Sequence, residues 1–144
     1  MIPCSRSLCP DKQIAFIAYG LIANGISVRF PTVYQNYGNS YNPTTGEFTC
    51  HLPGIYHFVT TLTKKWDTLT DYVACHLYHN SKELVGAYED PFSSEEDKGV
   101  YSYTISATLH LQRGDIVHVK CPHPSYLQSN NYCSFTGFLI VSDI

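Results

Sequence analysis

The sequence predicts an all-β domain, a sandwich or barrel, from three features of its 144 residues. Eight segments alternate apolar and polar side chains with a period of two, the repeat of a strand that lays one face on a core. Turn-forming pairs, among them Pro53-Gly54, Asn80-Ser81 and Gly114-Asp115, separate these segments, and no stretch of helical periodicity is as long as the alternations. Composition points the same way, because aromatics make up 14% of the chain, with 12 tyrosines, while charged residues make up only 15%. Such rings favour pleated, half-buried surfaces.

Residues 1–12 show no alternation and are expected to form an irregular leader carrying Cys4 and Cys9. Residues 13–144 are expected to form one domain, at a length that buries roughly two-thirds of the unfolded surface. The first strand is expected over 13–19, with Phe16 directed at the core. The apolar stretch 14–26 is broken by Gly20, Asn24 and Gly25 and falls short of the roughly 20 residues of a spanning helix, so no membrane insertion is expected. Segment 47–50 follows, with Phe48 and Cys50 in phase, and Pro53-Gly54 turns the chain into 55–63, which carries Tyr56 and Phe58. In 73–79, Cys75 is in phase with Val73 and Leu77; the His79-Asn80-Ser81 turn then leads to 83–88. Segment 101–111 alternates most clearly, with Tyr101, Tyr103, Ile105, Ala107, Leu109 and Leu111 on one face and Ser, Thr and His on the other. Segments 115–121 and 134–141 complete the set, the last carrying Phe135 and Phe138, both expected to fill the space between the sheets.

If consecutive strands run antiparallel, alternate connections share an end. The tight turns at Pro53-Gly54, Asn80-Ser81 and Arg113-Gly114 then gather at one end, and the long spans 19–30, 64–72, 89–100 and 122–133 gather at the other. Binding is expected at the long-loop end. A net charge of -3 without any run of Lys or Arg offers no footprint for nucleic acid or anionic lipid. An even count of six cysteines favours an oxidising, extracellular setting, and secretion is expected, although residues 1–10 lack the pattern of a signal peptide.

Several blocks also resemble a known family. Ala15-Phe16-Ile17-Ala18, the run from Tyr41 to Cys50, Pro53-Gly54-Ile55-Tyr56-His57-Phe58, the run from Leu109 to Val117, and Ser134-Phe135-Thr136-Gly137-Phe138-Leu139-Ile140 are similar to the globular head of complement component 1, q subcomponent, in order and spacing. The resemblance covers about residues 13–141. It implies a ten-stranded jelly roll of the tumour-necrosis-factor type, assembled as a homotrimer around aromatic and aliphatic side chains, with termini at the base and long loops at the apex. It names no catalyst. No Gly-x-y repeat precedes residue 13, unlike the many members with a collagen stalk.

Candidate site residues follow from the long-loop spans. Trp66, Asp67, Asp71, Tyr72, Tyr126, Asn130, Asn131 and Tyr132 set rings beside carboxylates and amides, a pairing that suits sugars, whose apolar faces stack on rings while their hydroxyls take hydrogen bonds. Glu89, Asp90, Glu95, Glu96 and Asp97 crowd one loop; Glu89 and Asp90, directly after a strand, are the expected calcium ligands, a solvated acidic loop being the alternative. Cys121 and Cys133 flank a returning loop and are expected to form a disulfide, two free thiols being the alternative. Cys50 and Cys75 are expected to be buried free thiols, and the pairing of Cys4 and Cys9 stays open.

Other motifs carry less. Cys121, His123 and Cys133 could offer three zinc ligands, but the expected disulfide competes for both sulfurs. His76 and His79 point to opposite faces of a strand. Arg113-Gly114-Asp115 matches an integrin-binding tripeptide, yet it lies at the tight-turn end and reads as a turn. No activated nucleophile, acid–base pair or open metal site can be assembled, so no enzyme is expected. The expected function is a secreted, trimeric, lectin-like recognition protein of innate immunity that binds glycans or microbial surfaces with calcium. The alternative is a secreted trimeric signalling ligand for a protein receptor.

Overall fold

The computed structural model describes residues 13–65, 73–89 and 101–144. They form β1 (Ala15–Tyr19), β2 (Ile22–Asn24), β3 (Ser27–Arg29), β4 (Thr32–Tyr37), β5 (Tyr41–Asn42), β6 (Glu47–Thr49), β7 (Gly54–Thr63), β8 (Val73–His79), β9 (Lys82–Glu89), β10 (Ser102–Leu111), β11 (Ile116–Lys120) and β12 (Ser134–Ser142), with one 3-10 turn at Pro124–Tyr126. Eight of these coincide with the expected strands. The other four, β2 to β5, fall between residues 22 and 42, where the pattern is too brief to show a period.

Two antiparallel sheets face each other. The first has the order β10-β7-β12-β1-β4. The second holds seven strands in five rows: β11 pairs with β8 along one edge, while β6 and β3 lie end to end along its other edge. Outside these two lie β5 and β2, also end to end, and β9 closes the far side beyond β8. The ten strands of the expected jelly roll are therefore present as ten rows, two of them split.

Alternation decides what enters the core. Phe16 and Ala18 of β1, Tyr56, Phe58 and Leu62 of β7, and Phe135 of β12 point inward from the first sheet; Phe48, Cys75, Leu77, Val117 and Val119 meet them from the second. Phe16 stacks on Tyr41 at 4.7 Å between ring centres and meets Phe135 edge-on at 5.1 Å, while Phe48 meets Phe58 edge-on at 5.0 Å. Burying one such ring is worth about 1.5–3 kcal/mol, and the edge-on contacts add to it. Tyr41 keeps its polar tip satisfied: its hydroxyl donates to the Phe30 carbonyl and accepts from the Phe30 amide. Burial pushes its pKa up to about 12.

Phe138, expected in the core, instead stands on the outer face of the first sheet, 44% exposed. It is out of phase with Phe135, three residues earlier, because an odd separation on a strand reverses the face. There it lies in a row with Tyr37, Ala15, His57 and Thr108. Ile17, Ile55, Ile140 and Val141 add further exposed apolar surface on the same strands.

The expected Cys121–Cys133 disulfide is also corrected. Cys121 is bonded to Cys75, and Cys133 is a buried free thiol, as is Cys50. The reason is topological. The connection from β11 to β12 crosses between the two sheets, so Cys121 and Cys133 never become neighbours on paired strands. Lys120 of β11 pairs with His76 of β8, which brings Cys121 opposite Cys75, with 4.2 Å between their Cα atoms.

Candidate functional site

Strand direction separates a base from a crown. At the base, the tight turns interlock: the Cys50 amide donates to the Asp115 carbonyl, the Gly114 amide to the Cys50 carbonyl, and the Asn80 amide to the Ile116 carbonyl. The Asp115 carboxylate is held within this knot, accepting from the Gln112 amide at 2.9 Å, from His79 at 2.9 Å and from Asn80 at 3.3 Å. The Gln112 amide, followed by His79, holds its pKa below the ordinary carboxylate range. The carboxylate of the Arg113-Gly114-Asp115 tripeptide thus serves the turn that carries it. His76, on the outer face of the second sheet, faces Glu83 at 3.4 Å.

At the crown, the chain from Cys121 to Cys133 runs over the open end of the sandwich. Its path is fixed by backbone bonds to β7 and the residues after it: Lys65 donates to the Tyr126 carbonyl, and the Gln128 amide to the Thr63 carbonyl, each at 2.8 Å. Leu127, pinned between them, is fully buried. The Cys133 thiol donates to the Gln128 carbonyl at 3.1 Å, and burial pushes its pKa up. Beneath the loop lies Lys64, wholly buried, its ammonium donating to the Lys65 carbonyl and lying 5.9 Å from the Tyr101 ring centre.

A groove of about 400 Å³ opens between this loop and the chain that leaves β1. Leu21 and Leu127 form its apolar floor, Pro122 and Pro124 stiffen one wall, and Lys65, His123, Ser125 and Ser129 supply polar groups. A cavity of this size with an apolar base and a few polar groups has the form of a small-ligand site. Lys65 gives it cationic character.

The expected ligand-binding residues divide. Tyr126 ends the 3-10 turn, with its ring against the core and 5.5 Å from the His123 ring. Asn130, Asn131 and Tyr132 form an exposed turn outside the groove; the Asn130 side chain accepts from the Tyr132 amide at 3.1 Å, and the Tyr132 ring is 62% exposed. Trp66, Asp67, Asp71 and Tyr72 lie outside the described residues, as does Asp90; Glu89 ends β9, paired with Val73. Among the described residues no group of three His, Cys, Asp or Glu side chains could hold a metal ion. With Cys121 bonded to Cys75, the zinc arrangement around His123 does not form. Lys65 and the groove use of His123 were missed because their role depends on how the loop folds back over β7.

The C1q domain pattern matches residues 18–140 of this chain. The chain belongs to the C1q domain family. It is 31% identical over 126 residues to one of the subunits of the mouse complement C1q subcomponent, a match that covers 81% of the chain and 44% of the relative, so the chain spans less than half of that protein's length. The C1q fold is evident in solved structures as well. The globular domain of zebrafish complement 1qA protein superposes with a TM-score of 0.67 at 22% identity, over 90% of this chain and 99% of that one. The Eiger TNF of S. frugiperda gives 0.69 at 16% identity, over 92% of this chain and 96% of that one. Among the described residues no helix is long and apolar enough to cross a membrane.

Proposed function

We propose that this C1q domain acts as a secreted, non-enzymatic recognition protein that self-associates as a homotrimer and binds glycans or microbial surface ligands at its crown. The observation that carries the reading is the contrast between the two ends of the sandwich. Base turns spend their polar groups on one another, whereas the crown presents a 400 Å³ groove beside the exposed Asn131 and Tyr132. The exposed apolar side chains on the outer face of the first sheet support self-association, since surface of this kind on a soluble domain marks contact with another chain. Three crowns on one assembly would raise weak single-site affinities through avidity. The Cys75–Cys121 bridge supports an oxidising, extracellular setting.

Calcium at Glu89 and Asp90 belongs to the same proposal and rests on the sequence alone; calorimetry that shows no heat on calcium addition contradicts that part. A glycan array probed with and without calcium tests the whole. Binding that is lost in His123→Ala supports the crown as the site. A blank array, beside capture of a cell-surface protein receptor, favours the second reading, a secreted signalling ligand.

A further inference from the structure

We infer that a second ligand site, selective for a neutral, hydroxyl-rich molecule of monosaccharide size, lies on the flank of the domain, in the seam between the β2–β3 hairpin and the β5–β6 turn; this rests on the reading of the protein as a glycan-binding recognition protein. The seam exists because β3 and β6 share one edge of β11 end to end, with β2 and β5 end to end outside them. A groove of about 330 Å³ opens there, lined by Ile22 and Val28 and by the polar side chains of Asn24, Ser27, Arg29, Thr44, Thr45 and Glu47.

Its walls are built in advance. Arg29 donates through Nη1 to the Pro43 carbonyl at 3.2 Å, which ties β3 to the turn. Gly46 has φ of +81°, and a Cβ there would stand 2.5 Å from the Val28 carbonyl oxygen, so only glycine lets the turn seat this closely against β3. The Thr44 amide donates to the Asn42 side chain and the Glu47 amide to the Thr45 hydroxyl, which fix the turn's own shape.

The chemistry of the lining selects the ligand. Glu47 opposes an anion and Arg29 opposes a cation, so the groove favours a molecule without net charge. Neighbouring sugar hydroxyls both donate and accept, which matches a carboxylate acceptor, a guanidinium with four N–H groups beyond the one given to Pro43, and the mixed donor and acceptor groups of Asn24, Ser27, Thr44 and Thr45. A zwitterion would use the two charged groups and leave the side chains of Asn24, Ser27 and Thr44 facing water alone. Ile22, exposed beside Arg29, offers an apolar surface for the C–H face of a pyranose, while Val28 turns its side chain into the core beneath.

Saturation-transfer NMR and calorimetry on the full chain test this with glucose, mannose, galactose, fucose and N-acetylglucosamine, beside alanine as a zwitterion and glucuronate as an anion. The expected result is that at least one neutral sugar binds and that Glu47→Gln and Arg29→Lys each weaken it about tenfold or more, as the loss of a charged hydrogen-bond partner does. Asn24→Ala, an exposed change that leaves the Pro43 contact intact, is expected to weaken it several-fold and keeps the test open if Arg29→Lys unfolds. Binding of alanine or glucuronate in preference to every neutral sugar overturns the proposal. Sugar binding that is lost in His123→Ala but insensitive to the flank variants also overturns it while leaving the crown reading in place; no monosaccharide binding at all overturns the flank site, and the glycan array then decides the crown reading by itself.

Discussion

A methyl group on Gly137 would stand 2.6 Å from the Phe58 ring and 2.8 Å from the Phe16 ring, distances no packed carbon tolerates. The residue is glycine because two core rings close over its backbone. Gly137→Ala must push them apart, and overpacking of this kind costs about 1–3 kcal/mol; urea denaturation is expected to show that loss with an unchanged slope. Asp115 belongs to this scale as well. Its folded-state pKa is depressed by the Gln112 amide and by His79, so its contribution to stability is fully present above the unfolded value of about 4. That contribution is lost as pH falls through the lower folded value. Stability curves of the wild type and Asp115→Asn are therefore expected to differ at neutral pH and to converge in acid. The cysteines give a third test. Non-reducing peptide mapping is expected to recover Cys75 joined to Cys121, with Cys50 and Cys133 alkylated only after unfolding. Opening the bridge, which spans a sequence separation of 46, is expected to cost about 4 kcal/mol.

Among the elements, the long strands were legible in the sequence because a strand with one face on a core must alternate, and β7 and β10 do so over ten residues each. Strands β2, β3 and β5 run for two or three residues, too few to display a period, and β4 turns mostly exposed side chains outward. The Cys121 pairing was illegible for a related reason: alternation tells which face a residue takes but not which sheet its strand joins. The crown groove depends on the same missing information, since Lys65 and His123 meet only after the β11–β12 connection folds back. Position within a sheet also sets local stability. Strands β7, β12 and β1 are flanked on both sides in the first sheet, while β2, β5 and β4 lie at edges. Amide hydrogen exchange is expected to be slowest in β7 and β12 and fastest in β2 and β5; uniform exchange across the rows would contradict this ordering.

For the molecule as a whole, the jelly roll was the most legible feature, since eight alternating strands and the family blocks pointed to it together. What stands outside the fold itself is the outer face of the first sheet. Its polar positions already bond one another across strands, with Thr61 to Thr104 at 3.2 Å and His57 to Thr108 at 2.9 Å. Between and beside them stand Phe138, Ile17 and Tyr37, which have no such use in a lone chain. Burying them against two further copies would place the three crowns at one end of the assembly, where shared ligands could be engaged together. Sedimentation equilibrium measures this directly. The account predicts a particle of three times the 16.2 kDa chain mass, falling to a single chain in a folded Phe138→Asp variant. A wild-type protein that stays at one chain mass over the whole concentration range would contradict it, as would a trimer indifferent to that substitution.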